Sequence, residues 1–428
     1  MTMSVRDSVS ESLVVAKRSW KLPGVYVAAC VLLVVFAVST SGDVTIRLND
    51  KSQSYTIPDI VAAGAPIVWV LAALSVLVTA WTLVSVIRRT RVPAWARVAG
   101  MVIVAVSTVA GFLLYAGSDS TGAVTVTSTL VSTVAISTPL IFGALSGVVS
   151  ERVGVVNIAI EGDLLVGAFA GVMAASYFQM PSAGLLAAPI AGAALGALLA
   201  LFSVKYGVDQ IIVGVVLNVL ALGLTTFLYG TVMTDAPGSL NTNQFSLSSI
   251  KIPGLAEIPV IGPVLFNQTI LVYLMYAAVV ALAFFLFRSR WGLRLRACGE
   301  HPRAADTVGI NVGRTRTLNT ILGSAFAGLG GAFFTIGSGL AFTDNISAGN
   351  GYIALAAMIL GKWNPVGAMG AAVMFGFAQA LARMLPNIEP AIPADLVSMI
   401  PYVVTIIAVA GFVGKSRAPA AENVPYVK

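Results

Sequence analysis

Apolar runs of about twenty residues recur along the chain, and that is the length a helix needs to cross the hydrocarbon layer of a bilayer. They cover residues 24–40, 65–87, 98–116, 124–149, 164–178, 184–204, 211–230, 269–287, 318–337, 365–385 and 396–413. A soluble domain has about a quarter of its residues charged. Here 57% of residues are hydrophobic and 10% are charged, too little polar surface to cover the chain in water. Repeated spans of this length imply helices, because in lipid every backbone polar group must be satisfied within the protein. The 41 glycines suit helices that approach closely. Gly143 with Gly147, and Gly192 with Gly196, have small-xxx-small spacing, although glycine's ordinary frequency in membrane helices explains each pair as well.

The formal net charge of +7 gathers in short loops between the apolar runs. Nothing resembles a nucleic-acid-binding module, and topology accounts for the charge: Lys- and Arg-rich short loops stay on the side from which a chain is inserted. Lys17, Arg18 and Lys21 precede the first run. Arg88, Arg89, Arg91 and Arg97 follow the second, and Lys415 and Arg417 follow the last. Alternation from these points predicts an all-α polytopic membrane protein with both termini cytoplasmic. About twelve helical segments are expected, a core of roughly nine plus an N-terminal extension of three. The expected divisions are a cytoplasmic lead (1–23), the extension (24–117), the core (124–413) and a cytoplasmic tail (414–428). The run 351–360 is too short to span, and is read as a half-helix or re-entrant segment.

One polar stretch stands apart. Residues 288–316 carry Arg288, Arg290, Arg294, Arg296, Arg303, Arg314 and Arg316 against Glu300 and Asp306. It is longer than a turn requires. Pro302 suits the first turn of a short helix, Gly309 its end, and Ala304, Ala305 and Val308 give it a small apolar face. Two readings stay open: a helix that receives a partner, or a basic loop that sets topology and touches anionic lipid.

The run GLRLRACGEHPRAADTVGINV (292–312) resembles the cytoplasmic coupling loop of ABC importer permeases, in the branch that carries branched-chain amino acids, simple sugars and nucleosides. ERVGVVNIAIEG (151–162), GYIALAAMILG (351–361), PYVVTII (401–407) and the tail RAPAAENVPYVK (417–428) agree, and together look most like the nucleoside and simple-sugar sub-branch. The resemblance covers residues 124 onward. It implies a permease subunit in the plasma or inner membrane, paired with a second permease subunit that is the same or paralogous. An extracytoplasmic solute-binding protein would deliver the solute. An ATP-binding subunit would dock on 288–316, through Arg294, Arg296, Gly299, Glu300, Pro302, Arg303, Ala304, Ala305 and Gly309. No cofactor is expected on this chain; ATP would sit on the partner ATPase.

The other chemistry lies where an apolar helix should begin. Asn157, Glu161 and Asp163 occupy that place, and intramembrane acids persist only against protein, water or solute. Asn157 and Glu161 would share one face if this piece is helical, and could bond solute or a neighbouring helix. The plainer reading has Glu161 cap a helix starting near Gly162. Asp163 departs from the family pattern. Asn218 and Thr225 are candidates for lining a polar path or for helix–helix hydrogen bonds, the second being commoner. An ion-coupled secondary transporter using Glu161 or Asp163 is the alternative, and a membrane enzyme a third reading. The only histidine, His301, rules out a histidine cluster or a Ser/His/Asp triad within the chain. Cys30 and Cys298 have no partner at metal-ligand spacing. Gly414-Lys415-Ser416 is no phosphate loop, since Val409 stands where the pattern needs glycine.

Overall fold

The computed structural model describes residues 20–48, 57–90, 92–118, 120, 122–234, 240–242, 244–388, 399 and 417–426. Among these, ten helices are long and apolar enough to cross a membrane. The expected crossing at 396–413 lies outside the described residues. The chain divides into two compact units: residues 1–47, 58–124 and 387–390 in one, and 48–57, 125–386 and 391–428 in the other.

The first unit holds three antiparallel helices, α1 (Lys21–Ser39), α2 (Gly64–Ile87) and α3 (Ala94–Ala116). Each buries a narrow stripe that includes Leu33, Val68, Ala72 and Val104, while Val70, Leu77, Val102 and Trp95 face outward. Only 28% of each span is buried, so most of the apolar surface is left for lipid. The free thiol of Cys30 meets the Thr79 hydroxyl at 3.1 Å inside this bundle. Two short strands, β1 (Asp43–Arg47) and β2 (Ile60–Ala63), pair antiparallel with Asp43 opposite Ala63. They are a small β element that apolar periodicity did not indicate. Arg47 and Asp59 join them in a bidentate ion pair, with a closest approach of 2.8 Å.

The second unit is built inside out. Its central helices, α4 (Val126–Arg152) and α5 (Ile160–Tyr177), are 78% and 72% buried. Around them stand α6 (Pro181–Ala200), α7 (Gln210–Leu228), α8 (Ile261–Phe266) and α9 (Ile270–Arg288). Then follow α10 (Arg290–Glu300), α11 (Pro302–Thr307), α12 (Val312–Gly331), α13 (Asn350–Leu360) and α14 (Pro365–Ile388). The expected boundaries move by a few residues: π-helical turns at Leu201–Lys205 and Tyr229–Met233 lengthen α6 and α7.

Glycine sets the spacing at the centre. A Cβ on Gly167 would lie 2.1 Å from the Gly328 carbonyl, and one on Gly192 would lie 2.3 Å from that of Ser324. Backbones of α5, α6 and α12 therefore touch directly, which membrane helices use in place of hydrophobic drive. The small-xxx-small pairs are contact residues after all. Gly192 and Gly196 face α12, while Gly143 and Gly147 seat Ala354 and Met358 of α13. With 11 residues, α13 is about 16 Å long at 1.5 Å per residue, too short to span.

Candidate functional site

Two polar constructions stand out, one at the start of α13 and one where α10 and α11 cover the ends of α4 and α12.

At the first, α4 stops at Arg152 and α5 begins at Ile160, so the piece carrying Asn157 is not helical. The shared helix face proposed for Asn157 and Glu161 is therefore absent. Asn157 instead folds the turn: its Oδ1 accepts from Ala159 N at 3.1 Å and its Nδ2 donates to Ser146 Oγ at 3.1 Å. Glu161 does cap a helix, but not its own. Its Oε1 accepts from Ser347 Oγ at 2.6 Å and from Gly349 N at 2.7 Å, and its Oε2 accepts from Gly351 N at 2.6 Å. These are donors at the N-terminus of α13, where orphan N–H groups and the helix dipole favour a negative charge. The approach requires glycine: a Cβ on Gly351 would meet the Glu161 backbone at 2.5 Å, and Gly349 has φ 82°.

Asn218 locks the same turn from α7. Its Oδ1 accepts from Gly162 N at 2.8 Å and its Nδ2 donates to Ile158 O at 2.9 Å, with the half-exposed Tyr352 hydroxyl at 3.4 Å. Gln379 of α14 donates to Asn350 Oδ1 at 3.0 Å. Asp163 points the other way, fully buried against Ser324 of α12 and Asn157. The Thr225 hydroxyl is used on its own helix, donating to Ala221 O at 2.8 Å, and is buried. The break thus unites Asn157, Glu161 and Asn218, meets Asp163 through Asn157, and leaves Thr225 outside.

At the second construction, Ser289 caps α10 by accepting from Gly292 N at 3.1 Å, and the chain doubles back tightly against the end of α9. Leu295, Cys298 and Ala305 are buried, whereas Leu293, Arg294, Glu300, His301, Arg303, Ala304, Val308 and Gly309 are exposed. Pro302 stands in the first turn of α11, and Gly309 turns the chain at φ 83°. Gly299 lies where no side chain fits, 2.2 Å from the Arg152 carbonyl to a built Cβ. Arg296 and Arg152 both lie over the Phe287 ring, at 5.5 and 5.9 Å. The arrangement is a fixed basic surface with two apolar points, Leu293 and Val308, standing up from it.

Arg316 is not part of that surface. It is 2% exposed, and its guanidinium donates to Val424 O at 2.8 Å and Ala421 O at 3.1 Å, in the C-terminal segment. Glu151 accepts from Trp363 Nε1 at 2.6 Å and is hydrogen-bonded to Glu422. Burial pushes the Glu422 carboxyl up, and likewise the Cys298 thiol. The Ser347–Gly351 cradle was open to sequence reasoning, since Ser-x-Gly-x-Gly before an apolar run is a helix-start signal. Arg316, Glu151 and Glu422 gave no such signal, because their partners lie far away in sequence.

Among the described residues no group of His, Cys, Asp and Glu could hold a metal ion. Fold and sites together define a multi-pass membrane protein with a polar break in its core and a structured basic face. The family model for the permease component of branched-chain amino acid transport systems matches residues 129–409, and the chain belongs to this family. It is 42% identical to the guanosine ABC transporter permease protein NupQ of Bacillus subtilis over 69% of this chain and 95% of that protein. It is 41% identical to the nucleoside ABC transporter permease protein NupC of Lactococcus lactis over 68% and 94%. A putative glucose ABC transporter permease protein of Haloferax volcanii, TsgC13, is 34% identical over 58% and 75%. No solved structure matches the chain. The ion-coupled alternative draws no support from these relatives, and the Glu161 carboxylate is already occupied by three donors.

Proposed function

We propose that the chain is the solute-conducting permease subunit of an ATP-driven importer for nucleosides. The observation that carries this is its 42% identity, across 95% of the relative's length, to a permease named for guanosine. ATP is hydrolysed on a separate chain that docks on the basic face of α10 and α11. That face and both termini are cytoplasmic, by the side preference of arginine-rich loops. A second permease subunit completes the pore, and a solute-binding protein delivers nucleoside to the opposite side.

The geometry supports a route from dock to break. The end of α10 abuts the Arg152 carbonyl through Gly299, at the end of α4. The same end of α4 holds the far end of α13, where Arg152 Nε donates to Trp363 O at 3.0 Å. The near end of α13 is held by Glu161. Closure of the ATPase pair would shift α10 and α4 together, and α13 with them, moving a break whose accessible polar groups are Asn350, Tyr352 and Gln379.

The test is co-purification and uptake. The native chain should carry an ATP-binding subunit through detergent extraction and should support uptake of labelled guanosine in cells. Replacing 299–309 by a Gly/Ser linker should abolish both. An ATPase that stays bound to the linker variant would overturn the dock. Uptake of glucose but not guanosine would overturn the solute class.

A further inference from the structure

Residues 417–426 lie across the basic face, and among the described residues their polar contacts there end on α4 or on the segment from α10 to α12. Ala421 N donates to Gly299 O at 2.8 Å, and Ala420 N to Glu300 Oε2 at 3.3 Å. Tyr426 reaches the Asp306 carboxylate on α11, and Glu422 reaches Glu151 at the end of α4. Val424 and Ala421 give their carbonyls to Arg316. Arg316 is the pivot. A guanidinium buried this deeply is costly, and removing its partners leaves the charge uncompensated. Here Nη1 and Nη2 donate to main-chain carbonyls of the tail while Nε has no partner, so the tail supplies the bonds that offset the burial of Arg316. Gly154 is shaped to the same end: its φ is 93°, and a built Cβ would lie 2.7 Å from Arg316 Nη2 and 3.1 Å from Ala421 O.

We propose that the segment 417–426, pinned by Arg316, is a strap that fixes α10 and α11 in the pose that transmits ATPase motion to the permease core. This rests on the reading of those helices as the ATPase dock. Arg316 is a positioning residue: it sets the dock without touching ATP or solute. Releasing the strap should leave hydrolysis running while transport fails, because the helices still offer a surface but no longer move as one piece with α4. A bond to a charged group contributes about 1.5–3 kcal/mol, so losing one should shift the opening of this face about ten-fold or more.

Cys298 is a built-in reporter. It is fully buried on α10, next to the Gly299 carbonyl that receives the strap. The chain's other cysteine is Cys30, so Cys30→Ser leaves a single thiol. The experiment uses the assembled transporter in inside-out membrane vesicles, with a membrane-impermeant maleimide as probe. Four chains are compared in the Cys30→Ser background: unchanged, Arg316→Ala, Arg316→Lys, and truncated after Ser416. Cys298 labelling should quicken about ten-fold or more in Arg316→Ala and in the truncated chain, and less in Arg316→Lys, which keeps the charge and some of its donors. In a fifth chain, truncation on top of Arg316→Ala should add less than truncation alone, because the Arg316 bonds to the tail are already gone. Nucleoside uptake should fall while the ATP-binding subunit still co-purifies and still hydrolyses ATP.

Unchanged labelling in the truncated chain would overturn the strap. Equal loss of ATPase binding and uptake in all variants would overturn its coupling role. If a truncated chain fails to assemble, Arg316→Lys decides, since it removes geometry but not charge. If no ATPase accompanies even the unchanged chain, the functional reading fails by itself, and the labelling still tests the strap.

Discussion

The helix break and the basic face bury opposite charges by the same means. Glu161 is held by donors 186 to 190 residues away in sequence, and Arg316 by carbonyls 105 and 108 residues away. Both satisfy a charge mainly with backbone dipoles rather than with a counter-ion. The difference lies in what the backbone belongs to. Glu161 is held by the first turn of a helix that is itself packed on α4, and Asn218 closes the turn behind it. Arg316 is held by a segment with no helix or strand of its own. The first arrangement cannot open without unpacking the core, whereas the second can open by lifting ten residues.

The sharpest way to break the comparison is to remove the Glu161 carboxylate. Three donors would lose their acceptor, and each unsatisfied buried group costs about 1–3 kcal/mol. Glu161→Ala should abolish uptake and lower the melting temperature in detergent by more than any change on the basic face. Glu161→Gln keeps one acceptor oxygen and should fall between. If Glu161→Ala melts like the native chain, the cap is not holding α13. Asn218→Leu should come next: it removes one acceptor and one donor from the turn, at about 1–3 kcal/mol. Uptake should drop while the ATP-binding subunit still co-purifies, since the dock is untouched. Loss of co-purification there would mean the two regions are not separable.

On the face side, Gly299→Ala adds a methyl 2.2 Å from the Arg152 carbonyl. Overpacking of this kind costs about 1–3 kcal/mol, and here it pushes α10 away from α4. The expected result is retained melting temperature within a few degrees, weakened ATPase co-purification and reduced uptake. A variant that transports at the native rate would show that α10 need not sit against α4.

These contrasts also explain what the sequence made legible. Span periodicity located the ten long helices and the short α13, because apolar length is a local property. The basic stretch was legible for the same reason, with Pro302 and Gly309 marking the ends of α11. Glu161 was recognisable as a cap, yet assigned to the wrong helix, because its donors come from the turn at Ser347–Gly351. Polarity alone offered Thr225 for a polar path or for a helix–helix hydrogen bond, and local sequence could not show that its hydroxyl bonds the carbonyl four residues earlier. Arg316 counted as one more loop arginine, since burial by tail carbonyls leaves no mark within the stretch that carries it. The small β element at Asp43–Arg47 and Ile60–Ala63 was hidden by its mixed charge.

The smallest expected effect concerns pH at the strap. Burial raises the Glu422 carboxyl above its ordinary range, and the titratable group that faces it is Glu151 from α4. The neutral acid is therefore favoured in the docked strap. Below the ordinary carboxylate range, near 4.3, both docked and lifted forms are neutral and this contribution to docking is complete. As pH rises from there through the raised value, the lifted strap releases its proton first, and docking weakens. Cys298 labelling should thus rise with pH faster than the thiol's own ionisation explains. The ratio of native to Glu422→Gln labelling, taken at each pH, cancels the thiol's titration. That ratio should climb from acid to neutral pH. A flat ratio would mean that the Glu422 proton does not bear on the strap, and that Arg316 and the backbone bonds alone hold it.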